Sequence, residues 1–137
     1  VSVTVSLKTT SLDRYKANLG TISLIVGKAA ADVEGNAKDS IFKNSGNYKQ
    51  YDNGHWSSPP GSPPNSDTGF LANSIGHRMA GRTVADIYAN AKYAVPLELG
   101  WTANGGNTVP PRPFMEPALM KVKPQFVKAL AKVLKGQ

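Results

Sequence analysis

Leu12, Tyr15, Leu19, Ile22, Val26, Ala30, Val33, Ala37 and Ile41 recur at steps of three or four along the chain. Such spacing returns each side chain to one face of a 3.6-residue helix, so a long amphipathic helix is predicted from Leu12 to about residue 43. Ser11 reads as its N-cap, and Asp13 falls in the first turn, where the helix dipole favours an anion. Gly20, Gly27 and Gly35 lie on another face, each about 1 kcal/mol less favourable than alanine in a helix. They imply either a break or fraying at a glycine, or close approach by a neighbouring subunit.

The flanking segments supply the partner elements. Val1, Val3, Val5 and Leu7 alternate with Ser2, Thr4, Ser6 and Lys8, the period of a half-buried strand. The stretch TGFLANS reads as one helical turn capped by Thr68. IGHRMA and TVADIYAN flank Gly81-Arg82 as two antiparallel strands joined by a tight turn. A last helix starts near Glu116 with Pro117 in its first turn, where the missing N–H is not needed. Leu119, Val122, Phe126, Leu130 and Val133 line one side of it, and Pro124 is expected to kink or restart it. The expectation is an α+β fold, with a small antiparallel sheet packed against a long N-terminal helix and a C-terminal helix. Residues 1–137 form a single domain with two irregular excursions, a long loop or arm at 44–67 and a Gly/Pro loop at 101–111. A chain of 137 residues buries roughly two-thirds of its unfolded surface.

Residues 44–67 are rich in Gly, Pro, Ser and Asn and poor in aliphatic side chains. Asn53-Gly54, with Tyr48, Tyr51 and Trp56 around it, suits the tip of a small hairpin, and PPGSPP suits a stiff extended run. The segment reads either as a solvated loop or as a functional arm that orders on assembly.

The search for chemistry excludes more than it finds. With no cysteine there is neither a disulfide framework nor a thiolate metal site, which fits a reducing compartment. His55 and His77 are the only histidines, too few for a three-histidine metal site. No serine sits in a G-x-S-x-G elbow, and no carboxylate pair is spaced across a substrate. Gly100 and Gly105 match the glycine spacing of a phosphate-binding loop, but Gly106 stands where its lysine belongs. These readings predict no catalytic residue, cofactor or metal, hence no enzyme. No apolar run approaches a membrane span, and the alternating start is unlike a signal peptide, so synthesis in the cytoplasm is expected. The formal charge of +7 is concentrated near the end: Arg112 and five lysines accompany a single carboxylate, Glu116, in residues 112–137. Lys121, Lys128, Lys132 and Lys135 fall opposite the apolar side of the last helix.

The densest motif is VPPRPFMEPAL, residues 109–119, with four prolines around Arg112, Phe114 and Met115. By itself it is a stiff helix entry or a minimal polyproline ligand. In order along the chain, TGFLANSI, YAVPLELG and PPRPFMEPAL followed by a helix resemble the tail-component family of long-tailed bacteriophages, the neck or tail-completion proteins. The resemblance spans almost the whole chain. It rests on Thr68, Gly69, Leu71, Ser74 and Ile75, then Tyr93, Ala94, Glu98 and Gly100, then Arg112, Pro113, Phe114, Pro117 and Ala118. The chain departs from the pattern in its longer 44–67 segment and in Trp101, where threonine is commoner.

The resemblance implies a structural virion protein of the head–tail junction, forming a homo-oligomeric ring, commonly of six copies. Expected partners are further copies of itself, neck, tail terminator or tail tube proteins, and DNA in the channel lumen. Its expected location is the virion neck or tail, after synthesis in the bacterial host. A ring closes only if each subunit presents a surface fixed in direction, which prolines favour. The expected interface comprises Tyr93, Glu98, Gly100, Trp101, Arg112, Pro113, Phe114 and Met115, with Glu98 available to pair with Arg112 within or between subunits. The alternative for Phe114 is a plug in its own core. The lysine face is read as meeting DNA, an acidic neighbour, or only water; a stand-alone basic nucleic-acid-binding module is the competing function.

Overall fold

A computed structural model describes residues 2–4 and 12–136. The apolar stripe forms helix, but in two pieces: α1 (Leu12–Ala17) and α2 (Leu19–Lys43). The break falls at Asn18, whose N–H turns back to the Tyr15 carbonyl at 3.2 Å. None of the three glycines interrupts α2. Gly20 and Gly35 face open space, and a Cβ at Gly27 would meet only the Met79 sulfur at 3.7 Å. Six of the striped residues, Ile22, Val26, Ala30, Val33, Ala37 and Ile41, are buried, joined by Ala29. The proposed Ser11 cap lies outside the described residues.

The sheet has the order β1 (Ser2–Thr4), β5 (Val84–Ala89), β4 (Ile75–Met79), antiparallel throughout. The expected strand at the chain start is thus seen over Ser2–Thr4; Val1 and 5–7 lie outside the described residues. β4 and β5 form the anticipated hairpin, with Ile75 opposite Ala89 and Met79 opposite Ala85. Alternation decides its two faces: Ile75, Ala85 and Ile87 are buried in the common core, while Arg78 and Asp86 pair at 3.3 Å on the exposed side.

α2 is the central element, lying across the sheet and along α5 (Met115–Leu134). Met115, Ala118, Val122 and Leu130 of α5 are buried, and Leu119, Phe126 and Val133 pack partly against the same core. Pro124 does not restart this helix, which runs unbroken through it. It sits on the exposed side, and the carbonyl it leaves without a donor belongs to Met120, itself an exposed position.

Both irregular excursions contain hairpins. In 44–67, β2 (Lys49–Gln50) pairs with β3 (Trp56–Ser57) around Gly54, at φ +83°, as Asn53-Gly54 suggested. In 101–111, where only a loop was expected, β6 (Trp101–Thr102) pairs with β7 (Thr108–Val109). Two short helices, α3 (Phe70–Asn73) and α4 (Ala94–Leu99), complete the fold. The Thr68 hydroxyl accepts the Phe70 N–H at 3.3 Å, but the N-cap position is Gly69, one residue later than expected. The 44–67 segment is held together by its own side chains and tied to the domain. Asn44 donates to the Pro63 carbonyl, Asn65 bridges the Gly46 and Trp56 carbonyls, and the Gly61 N–H reaches the Pro111 carbonyl at 2.9 Å.

Candidate functional site: the proline corner and its cleft

The corner at residues 110–114 joins three parts of the fold. Gly100 begins the approach: at φ +73° it makes a turn in which a Cβ would lie 2.9 Å from the Val109 carbonyl oxygen and 3.0 Å from the Pro111 nitrogen. Only glycine allows the β6–β7 hairpin to return this close to the end of α4. The Arg112 N–H then donates to the Leu97 carbonyl at 2.6 Å, and the Arg112 Nε donates to the Ser58 carbonyl at 2.9 Å. Loop 44–67, α4 and α5 are thereby tied to a segment whose prolines have little freedom to lose.

Glu98 has a role that differs from the expected ion pair. One carboxylate oxygen accepts the N–H groups of Phe114 at 2.8 Å and Met115 at 3.0 Å; the other accepts that of Glu116 at 2.8 Å. The first turn of any helix leaves N–H groups without intrahelical acceptors. Phe114, at the N-cap of α5, has no side-chain acceptor, so Glu98 caps α5 from a different helix and places its charge at the positive end of the dipole. Within the chain it does not pair with Arg112.

The expected interface set therefore divides. Phe114 is only 1% exposed and Met115 is also buried, so both belong to the core of their own subunit. Arg112 is buried as well, and Glu98 is engaged by α5. Phe114, Met115 and Arg112 are corrected from surface anchors to buried residues of their own subunit, and Glu98 holds the corner by capping α5. Pro113 is half-buried and Gly100 serves the turn. Tyr93 and Trp101 remain exposed. So do Lys121, Lys128, Lys132 and Lys135, which lie on the solvent side of α5 as expected.

The exposed aromatic surface lies elsewhere. Phe70 on α3 and Tyr93 at the start of α4 have ring centroids 6.3 Å apart, and Phe42 at the end of α2 lies beside Gly69, whose φ is +78°. Phe42, Phe70 and Tyr93 are 52%, 59% and 45% exposed, respectively. These three rings form an exposed aromatic patch where α2, α3 and α4 meet. Sequence reasoning flagged Tyr93 but not the two phenylalanines, since Phe42 sits at the end of an amphipathic helix and Phe70 inside a short apolar turn.

Phe70 and Tyr93 also form one wall of a cleft of about 360 Å³. Tyr51 and His55 of the β2–β3 hairpin also line it, and Ser57, Ser58 and Arg112 are among its polar lining. His55 lies 3.8 Å from Asp67 at its edge. His77, the other histidine, is remote from the cleft and meets Glu34 of α2. Burial would raise the Glu34 pKa, but its bonds to Lys38 and His77 outweigh this and lower it. Among the described residues, no group of three histidine or carboxylate side chains is disposed to hold a metal, and no helix is long and apolar enough to cross a membrane. No family model, curated protein or solved structure matches this chain.

Proposed function

We propose that this chain is a structural subunit of a bacteriophage head–tail junction, which forms a ring and docks neck or tail components around the DNA channel. The observation that carries the assembly part is the Phe42, Phe70 and Tyr93 surface, because an exposed aromatic patch on a folded domain suits burial against another polypeptide. The phage assignment rests on the ordered resemblance of TGFLANSI, YAVPLELG and PPRPFMEPAL. In this reading the corner contributes rigidity: with α4, α5 and the 44–67 segment tied together, the patch has a fixed direction, as ring closure requires. The role is non-enzymatic.

The test is the mass of the purified protein in solution, alone and with neck or tail-tube proteins. A discrete ring, six copies being the expected number, that falls to monomer on Phe70→Glu with the fold retained would support the proposal. A monomer under every condition would refute it. The solvent-facing lysines of α5 favour a second reading, a nucleic-acid-binding module. That reading requires monomeric binding to DNA with an affinity falling steeply with salt.

A further inference from the structure

Arg112 is 7% exposed, and among the described residues it meets no carboxylate. Its Nε donates to the Ser58 carbonyl, and its terminal nitrogens are not among the buried side-chain atoms that lack a partner. A guanidinium this enclosed, with no carboxylate beside it, suits a counter-charge brought by a ligand. Arg112 lines the cleft between the β2–β3 hairpin and α3–α4, and three polar groups there are incomplete. The hydroxyls of Ser57 and Ser58 and the Oδ1 atom of Asn65 are buried without partners. The orientation of the Asn65 amide is fixed, since its nitrogen donates to two carbonyls, of Gly46 and Trp56. Its oxygen is consequently an acceptor awaiting a donor.

We infer that this cleft binds an acidic side chain carried by another polypeptide. The terminal nitrogens of Arg112 form a planar fork suited to two oxygens of one carboxylate, and the Ser57 and Ser58 hydroxyls supply further donors. A free acid would use those donors and leave Asn65 Oδ1 unsatisfied. A peptide brings a backbone N–H together with its carboxylate and satisfies both kinds of group. The exposed rings of Tyr51, Phe70 and Tyr93 give the flanking peptide an apolar rim. Asp67 at the edge is more than half exposed and opposes a dianion, which favours a single carboxylate over a phosphate.

The test is a titration followed by the NMR signal of the Arg112 Nε–H and the backbone amides of Ser57 and Ser58. The probes are acetate, a blocked tripeptide with a central glutamate, and the same tripeptide with glutamine. The glutamate peptide is expected to shift all three signals and to bind roughly tenfold or more tightly than acetate, with the glutamine peptide inert. Arg112→Lys keeps the charge but loses the fork, and should weaken the glutamate peptide by about tenfold. Should that variant fail to fold, Ser58→Ala, which removes only an unpaired hydroxyl, should weaken binding with the amide spectrum otherwise preserved. Unmoved signals, or equal binding of the two peptides, would overturn the inference. Acetate binding as tightly as the glutamate peptide would assign the cleft to free acids instead. The titration reads one folded chain whatever its copy number, so a monomer that binds the peptide refutes ring formation and leaves this inference standing.

Discussion

Replacing Glu98 tests the central structural claim, that one carboxylate on α4 caps α5 and fixes the corner. Glu98→Ala removes the acceptor of three N–H groups, at 2.8, 3.0 and 2.8 Å. Two of them belong to the buried residues Phe114 and Met115, where water is poorly placed to substitute; Glu116 is exposed and recovers a water partner. Losing an N-cap costs about 1 kcal/mol, and a buried N–H left unpaired costs about 1 to 3 kcal/mol. Since part of the turn can relax, the expected loss is about 2 to 4 kcal/mol. For a chain of this length that lowers the melting temperature by roughly 6 to 12 °C. Glu98→Gln keeps one acceptor oxygen but no charge, and should lose about half as much. Urea unfolding of the three proteins with a common slope is the assay, because an altered slope would signal a changed folded or unfolded state. An alanine variant within about 0.5 kcal/mol of the parent would refute the capping role.

Leu71 of α3 is buried, so Leu71→Ala should cost about 2 to 5 kcal/mol in the same assay; an unchanged curve would place it at the surface. Glu34 has a lowered pKa in the folded chain, so its contribution is present above its ordinary value of 4.5 and is lost as pH falls through the lower folded value. The acid loss should be smaller in Glu34→Gln, by less than about 1 kcal/mol because the group is partly solvated, and identical acid titrations of the two proteins would contradict this. Joint reversal of Lys121, Lys128, Lys132 and Lys135 to glutamate should leave the melting temperature nearly unchanged, since all four are exposed. If they meet DNA, the salt dependence of binding should fall by about 0.9 per lysine removed, whereas docking to an acidic protein should show a partner-specific loss. Normal assembly and infection by particles carrying all four reversals would leave solubility as their role.

Periodic signals made the elements legible before the structure. The stripe from Ile22 to Ile41, the strands on either side of Gly81-Arg82 and the start of α5 all follow from spacing, because a side chain's face is set by its own helix or strand. The lysine face of α5 was legible for the same reason. The corner was not. Arg112, Phe114 and Met115 carry the composition of an interface centre, and composition does not distinguish a ring buried in its own core from one offered to a neighbour. Only the return of the β6–β7 hairpin to α4, through the turn at Gly100, put them inside. Likewise Glu98 lies 16 residues before the first N–H it caps, and Ser58 lies 54 residues before the arginine that binds its carbonyl. The cleft belongs wholly to the tertiary structure: Ser57, Ser58 and Asn65 sit in a Ser-, Pro- and Asn-rich run that reads as solvated. Burial turned their ordinary polar groups into unmet ones. Local sequence fixes where a side chain points along its own element, whereas desolvation depends on which distant segments close over it.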